Sequence, residues 1–337
     1  MIFVTGGTGL VGSHILLKLS QSNISFKALK RESSSLDVCK DVFMYYNAEL
    51  QFNQIRWVDG DVNDIPSLEE EMKNCTKVIH AAAIVSFHND DEEIMYKINV
   101  EGTINIVNVA LSVGITKLSY ISSISALGRN TTSDIIDEDC KFKISKKENN
   151  YSLSKYYSEQ EVWRASQEGL DVVILNPSVI LGPGDWTKGS SQIFQTIYNG
   201  LKYYTRGSTG YVDVTDVAEC TIRLLQSDIK NERFIINGEN LKFREVFDMI
   251  AEGFNKKKAT VKVTPLMKEL AWRIELFRSF ITGRRPLITK ETANSAMKSS
   301  SYSSKKIEDV ISFKFVPIKE SVKKYCQWFS EKTNQFN

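Results

Sequence analysis

Thr5-Gly6-Gly7-Thr8-Gly9-Leu10-Val11-Gly12 is the stretch that decides the fold. The apolar run Ile2–Thr5 in front of it reads as a short buried strand, and from Leu10 to Ser20 apolar residues return at helical spacing. A glycine pattern between a strand and a helix has a distinct use at each position. Gly6 allows the tight turn, Gly9 lets a bound group approach the backbone, and Gly12 lets the helix pack closely on the strand. The helix start then offers unpaired N–H groups and the positive end of its dipole, which suits the pyrophosphate of a dinucleotide, with Thr8, Leu10 and Val11 in the same turn.

Outward from this loop, apolar bursts alternate with helix-period segments. Phe26–Leu29, Ile55–Val58, Val78–His80, Leu118–Ile121 and Val172–Asn176 read as strands, and Ile65–Asn74, Glu92–Val113 and Tyr151–Glu168 as helices. Such alternation predicts an α/β fold, a doubly wound parallel Rossmann sheet that binds ligands at the carboxyl ends of its strands. After Pro177 the pattern becomes more aromatic and basic, and Phe234–Asn237 reads as one more strand returning to the sheet. The expected division is residues 1–177 and 209–237 for the dinucleotide-binding domain, with 178–208 and 238–337 as a smaller, mainly helical C-terminal lobe that covers the substrate. Ser145–Asn150 and Ser299–Lys306 read as loops, and Leu266–Phe280 and Val316–Phe329 as helices.

Composition narrows the function classes. The chain has 337 residues, 42% hydrophobic and 25% charged, as expected of a globular protein with a sizeable core. A net charge of +2, without long basic runs, gives no electrostatic case for nucleic acid or an anionic membrane. Five scattered cysteines without a C-x-x-C pair, and only three histidines, argue against a metal centre or a disulfide framework. Met1–Val4 runs straight into the glycine loop and no later stretch is apolar enough to span a bilayer, so a cytoplasmic protein is expected. Its expected partner is a small-molecule substrate, with a homodimer as the assembly considered.

The end of the second strand bears on cofactor choice. A carboxylate there suits a ribose 2′-hydroxyl and an arginine a 2′-phosphate. Here Lys30-Arg31 precedes Glu32, so NADP is expected over NAD, with Arg31 on the phosphate; a solvated basic pair with Glu32 on the ribose is the alternative.

Further along stand Gly60-Asp61-Val62, His80-Ala81-Ala82-Ala83, Asn99-Val100-Glu101-Gly102-Thr103, Ser122-Ser123, Tyr151 to Lys155, and Asn176-Pro177-Ser178 through Gly182-Pro183-Gly184. With the glycine loop, these motifs resemble, in order, those of the extended short-chain dehydrogenase/reductase family over about residues 1 to 225. The resemblance implies that Asp61 and Val62 meet the adenine end, and that Ala81, Ala82, Ala83, Pro177 and Val179 lie against the cofactor. It also implies that Lys155 holds the nicotinamide ribose and that Asn99 holds a backbone kink or a water near it.

Tyr-x-x-x-Lys occurs three times, at Tyr151–Lys155, Tyr198–Lys202 and Tyr302–Lys306, and only the first follows a serine-ended strand at a suitable distance. Four residues apart on a helix, Lys155 is expected beside the Tyr151 hydroxyl, where an ammonium favours the phenolate and brings it toward the range useful for proton transfer. Ser123 is the expected catalytic serine, with Ser122 and Ser125 as competitors and a backbone-bonding role as the plain reading. His80 reads as a packed residue rather than a ligand, and the aromatic run Tyr198, Tyr203, Tyr204 and Tyr211 as core. The absence of a Thr-Asp-Glu segment at the serines speaks against sugar-nucleotide dehydration. The missing asparagine after Pro177 and the basic pair at Lys30 speak against epimerisation. The pattern looks closest to dihydroflavonol-type reductases, which implies hydride transfer to the carbonyl of a fairly apolar substrate, with a nucleotide-sugar epimerase and a non-catalytic dinucleotide sensor as alternatives. Leu266, Leu270, Ile274 and Phe277 form one face of the Leu266–Phe280 helix, which is expected to pack on the domain or to lend part of itself to the substrate pocket.

Overall fold

The computed structural model describes residues 1–129, 134–145, 148–282, 285–286 and 289–335. In chain order it begins with β1 (Ile2–Thr5), α1 (Leu10–Gln21), β2 (Phe26–Lys30), α2 (Asp37–Tyr45), α3 (Glu49–Asn53), β3 (Arg56–Asp59), α4 (Ile65–Met72) and β4 (Lys77–His80). It continues through α5 (Glu92–Met95), α6 (Gly102–Ser112), β5 (Lys117–Ile121), β6 (Ile135–Ile136), α7 (Asn150–Gln167), β7 (Asp171–Pro177) and β8 (Val179–Leu181). Then come α8 (Gln192–Tyr198), β9 (Tyr203–Tyr204), β10 (Ser208–Asp213), α9 (Val214–Gln226), β11 (Glu232–Ile236), β12 (Glu239–Lys242), α10 (Phe243–Gly253) and β13 (Val261–Lys262). The chain closes with α11 (Pro265–Thr282), α12 (Lys290–Ser295), β14 (Ser301–Tyr302), α13 (Lys305–Ile311) and α14 (Ile318–Gln335).

Seven strands form one parallel sheet in the order β11-β7-β5-β4-β1-β2-β3. Register places Thr5 opposite His80 and Pro177 opposite Ile236, so the carboxyl ends of the strands line up along one edge. Period-two alternation then splits the core. Val4, Ala28, Ile79 and Leu175 face α1 and α9, whereas Phe3, Leu29, Val78 and Ile174 face α4, α6 and α7. The apolar cluster on the α1 side runs without a gap into α10 and α14, so the C-terminal helices share a core with the sheet.

The strands and helices expected along the sheet lie within two residues of those observed, with two differences. The Glu92–Val113 helix is α5 and α6 joined by a π-helical turn, Tyr96–Glu101. The segment between β2 and β3 holds α2 and α3, whose short amphipathic pieces bury Cys39, Val42 and Phe43 beside α1.

The C-terminal part is less purely helical than expected, because β8, β10 and β12 pair into a separate three-stranded sheet. The expected Ser299–Lys306 loop contains β14 and the start of α13, since Ser301–Tyr302 pairs with β6. Of the expected Ser145–Asn150 loop, 146–147 lie outside the described residues and Asn150 already begins α7. Positions 283–284, 287–288 and 336–337 of the C-terminal segment also lie outside them.

Helix α11 does not pack its apolar face on the domain. Leu270 is 51% exposed, Ile274 62% and Phe277 66%. Its Glu269–Arg273 and Glu275–Arg278 ion pairs are made within the helix, which supports it without burying that stripe. Tyr198 packs edge-on to Phe254 and Tyr211 is fully buried, while Tyr203 is half exposed. Among the described residues, no helix is long and apolar enough to cross a membrane.

Candidate functional site

The loop between β1 and α1 has the sterics its glycines require. Gly6 has φ +74°, and a Cβ there would sit 2.5 Å from the carbonyl carbon of Ala81. At Gly12 a Cβ would come within 2.0 Å of the Gly6 carbonyl oxygen, so the helix closes on its own turn only without a side chain. Gly9 is exposed and caps α1 with no side-chain hydrogen bond, which leaves the first-turn N–H groups of Leu10, Val11 and Gly12 without an intrahelical acceptor.

In front of this turn lies a cleft of about 180 Å³ lined by the loop, by Leu29 to Arg31, by Gly60 to Val62 and by Ala81 to Ile84. Thr8, Gly9, Arg31, Asp61, Val62, Ala81, Ala82 and Ala83 are thus brought together from four strand ends. Ser34, Ile84 and Ile98 also line it and carry no sequence signal of their own. The two members of the basic pair separate. Lys30 bonds Asp59 across β2 and β3, whereas Arg31 is exposed on the cleft and has no side-chain partner among the described residues. Asp61 Oδ1 accepts from the Asn63 N–H at 2.9 Å, which fixes the carboxylate at the cleft edge.

A buried chain of hydrogen bonds joins this cleft to the π turn. Thr103 donates its proton to the Asn99 carbonyl and so accepts from His80 Nε2 at 3.0 Å, leaving Nδ1 to accept from Thr5 Oγ1 at 2.7 Å. Burial pushes His80 down to about 3, so it is a neutral connector. Asn99, 1% exposed, accepts from the Ile84 N–H at 2.7 Å and donates to the Ile84 carbonyl at 2.9 Å and to Ser154 Oγ at 3.0 Å. From within the π turn Tyr96–Glu101 it clamps the strand extension after Ala83 to α7.

Helix α7 carries Tyr151 and Lys155 on one face, both buried. Burial raises the Tyr151 pKa from its ordinary value, and the nearby Ser123 side chain opposes the rise. Ser123 Oγ accepts from the Ser125 N–H at 3.1 Å, which leaves its own proton to donate. Ser122 is turned away and bonds Glu159.

The Lys155 ammonium does not lie beside the Tyr151 hydroxyl as expected. Its Nζ donates to Tyr120 Oη and to the Ile121 carbonyl, each at 2.8 Å, because these are the acceptors that β5 places at its level. Burial lowers its pKa to about 7, with Glu159 opposing the shift. Two protons of an ammonium are thereby used and a third remains to donate. Phe87 meets the Tyr151 ring edge-on at 5.7 Å, so the phenol ring has an apolar neighbour on that side. Pro177 ends β7 on the far side of β5, and Val179 follows in β8.

Tyr120 and Glu159 are the members of this constellation that the sequence reading missed. Glu159 had a signal, the continued four-residue step from Tyr151 through Lys155. Tyr120 had none beyond its place on a strand.

The turn suits a dinucleotide: an uncapped helix start, a Gly6 turn packed so closely on the Ala81 backbone that no Cβ fits, and an arginine at the cleft with no side-chain partner among the described residues. Among the described residues no cluster of His, Cys, Asp or Glu could hold a metal ion.

Comparison with known proteins agrees with this geometry. A profile of the NAD dependent epimerase/dehydratase family matches residues 2–237. The chain is 30% identical over 335 residues, covering 97% of itself and 94% of the relative, to a Synechocystis protein named "Putative dihydroflavonol 4-reductase". Among solved structures, gox2253 superposes with a TM-score of 0.80 at 28% identity over 98% of both chains. The UDP-glucose 4-epimerase of Thermotoga maritima, solved with UDP-glucose, superposes with a TM-score of 0.77 over 98% of this chain and 99% of its own, at 18% identity, a likeness of fold. With the family profile spanning the whole glycine loop, sheet and Tyr151–Lys155 helix, the chain belongs to the NAD dependent epimerase/dehydratase family, whose members are NAD(P)-dependent enzymes acting on small molecules.

Proposed function

We propose that this protein is an NADP-dependent reductase of a small, fairly apolar carbonyl compound, or in reverse a dehydrogenase of the corresponding secondary alcohol. The observation that carries the reading is the buried Tyr151, with Lys155 one helical step on and the Phe87 ring edge-on against its own. The similarity to a reductase-named relative over nearly the whole chain supports reduction over epimerisation.

Gly6, Thr8, Gly9, Leu10, Val11 and Gly12 would cradle the pyrophosphate, Asp61 and Val62 the adenine end, and Arg31 the 2′-phosphate, with Ala81, Ala82, Ala83, Pro177 and Val179 along the rest of the cofactor and Lys155 on the nicotinamide ribose through its free proton. When bound, NADPH supplies the hydride. Tyr151 Oη gives a proton to the carbonyl oxygen, and Ser123 donates a hydrogen bond that holds that oxygen in place. Lys155, engaged by Tyr120 Oη and the Ile121 carbonyl, ties α7 to β5 next to the phenol-bearing turn. Asn99 keeps the Ala81–Ile84 backbone at a fixed distance from α7.

The segment after α11 joins the site's rim: Arg285 pairs with Asp91 through both carboxylate oxygens at 2.8 and 2.9 Å, and Asp91 in turn accepts from Ser86 next to Phe87. We take residues 178–208 and 238–337 as the lobe under which substrate enters. All five cysteines are free and buried, which suits a reducing compartment such as the cytoplasm. The test is turnover of aromatic ketones and aldehydes with NADPH against nucleotide sugars. Reduction of the former is expected, and activity confined to nucleotide sugars would replace this reading with epimerisation.

A further inference from the structure

Helix α7 bears a third polar residue on the Tyr151–Lys155 face. Glu159 follows Lys155 by one helical step, is 1% exposed and belongs to the same polar seam between α7 and the ends of β5 and β7. Its Oε1 accepts from Ser122 Oγ and from Asn176 Nδ2, and its Oε2 faces Arg233 Nη1 at 3.5 Å. Asn176 also donates to the Ser123 carbonyl at 2.9 Å, so one amide ties the carboxylate to the residue at the Tyr151 hydroxyl. Arg233, from β11, is held by the Glu138 carbonyl at 2.9 Å through Nε, so it is fixed from behind. Three donors converging on one carboxylate suit its ionised form, although burial pulls its pKa above the ordinary value. An inert anchor would need none of this placement on the reactive face of the helix.

We propose that Glu159 is a positioning residue for the Tyr151–Lys155 pair: it locks the strand end carrying Ser122 and Ser123 and supplies the negative charge opposite the Lys155 ammonium. The inference rests on the reading of Tyr151 and Lys155 given above. Among the described residues, the hydrogen-bond acceptors of Lys155 are neutral, Tyr120 Oη and the Ile121 carbonyl. The other titratable groups that face it are His80 from β4, neutral by burial, and Tyr120 from β5. Around Glu159 the facing groups are Lys155, Arg233 and Tyr120. Glu159 is thus the acidic side chain that acts on Lys155 among the described residues. Removing a negative charge destabilises an ammonium, so the Lys155 midpoint must fall when Glu159 is neutralised.

The experiment labels lysine at Cε with carbon-13 in the full-length protein and follows the Lys155 resonance, assigned by its loss in Lys155→Met, through a pH titration. In the starting protein the midpoint is expected near 7. Glu159→Gln should lower it by about one pH unit, as expected for charges one helical step apart at an intermediate dielectric. Glu159→Asp, which restores the charge, should bring it back. An unchanged midpoint in a folded Glu159→Gln protein overturns the proposal. Should that variant not fold, Ser122→Ala removes one donor, moves Glu159 toward its neutral form and must lower the midpoint as well; no shift there is equally fatal. NADPH affinity is measured alongside. A protein that binds neither NADPH nor NADH, yet shows the Glu159-dependent midpoint, sinks the reductase reading and leaves Glu159's hold on Lys155 standing.

Discussion

Arg31→Ala separates cofactor selectivity from everything else in the site. The guanidinium stands on the cleft without a side-chain partner among the described residues, so its removal breaks no native contact and should change folding stability by less than about 0.5 kcal/mol. Its whole contribution falls on the bound 2′-phosphate. A hydrogen bond to a charged group contributes about 1.5–3 kcal/mol, or roughly 10- to 150-fold in Kd at 1.4 kcal/mol per factor of ten. Because Arg31 is exposed, solvent and salt screen part of this, and the lower end, about 10- to 30-fold, is expected at 0.15 M salt. Lys30→Ala should cost less, since the Lys30 amine is already engaged by Asp59. Titration calorimetry with NADPH and NADH on the three proteins measures each quantity directly. NADH affinity should be the same in all three. Equal affinity of the starting protein for the two cofactors, or a parallel loss of both in Arg31→Ala, would remove Arg31 from the phosphate.

Tyr151→Phe should keep NADPH binding and lose turnover by at least about two orders of magnitude, as for removal of a general acid, while Tyr198→Phe and Tyr302→Phe leave the chemical step unchanged; retained activity in Tyr151→Phe refutes the proton-donor role. Asn99→Ala deletes three buried hydrogen bonds and leaves the Ile84 N–H unpaired, a loss of about 2–4 kcal/mol visible in urea unfolding; a change below about 1 kcal/mol would mean that α7 and the Ala83 strand extension are held by something else. For Lys155 the folded pKa, about 7, lies below the unfolded value of 10.5, so the folded state binds fewer protons between these limits. The penalty for burying the ammonium is therefore full below pH 7 and fades as pH rises toward 10.5, and Lys155→Met should gain stability relative to the starting protein more at pH 6 than at pH 9.5. Stability differences that do not vary with pH would show that Lys155 titrates normally.

Most of the sheet and the whole glycine loop were legible in the chain because their causes are local. Period-two and period-3.6 patterns show which face of each element is buried, and the steric demands at Gly6 and Gly12 arise within a few residues or at the adjacent strand. The Tyr151–Lys155 step was legible for the same reason, as residues four apart share a helix face. Asn99 stands in a legible motif, but nothing local names its partners, Ile84 and Ser154. The α11 stripe shows the opposite failing: its periodicity was read correctly, yet period alone does not say whether a face finds something to cover it.

Only the tertiary structure decided the electrostatics. Lys30 and Arg31 are alike in sequence, and the neighbouring strand's Asp59 makes them different. Ser122 and Ser123 are adjacent, and alternation along the strand end sends the first to Glu159 and leaves the second at Tyr151. Lys155 found Tyr120 in place of Tyr151, and Glu159 found Asn176 and Arg233, across separations of 35, 17 and 74 residues. Pairings over such distances are set when a parallel sheet aligns strand ends that are remote in the chain, and a charge buried there takes its pKa from neighbours that no local pattern names.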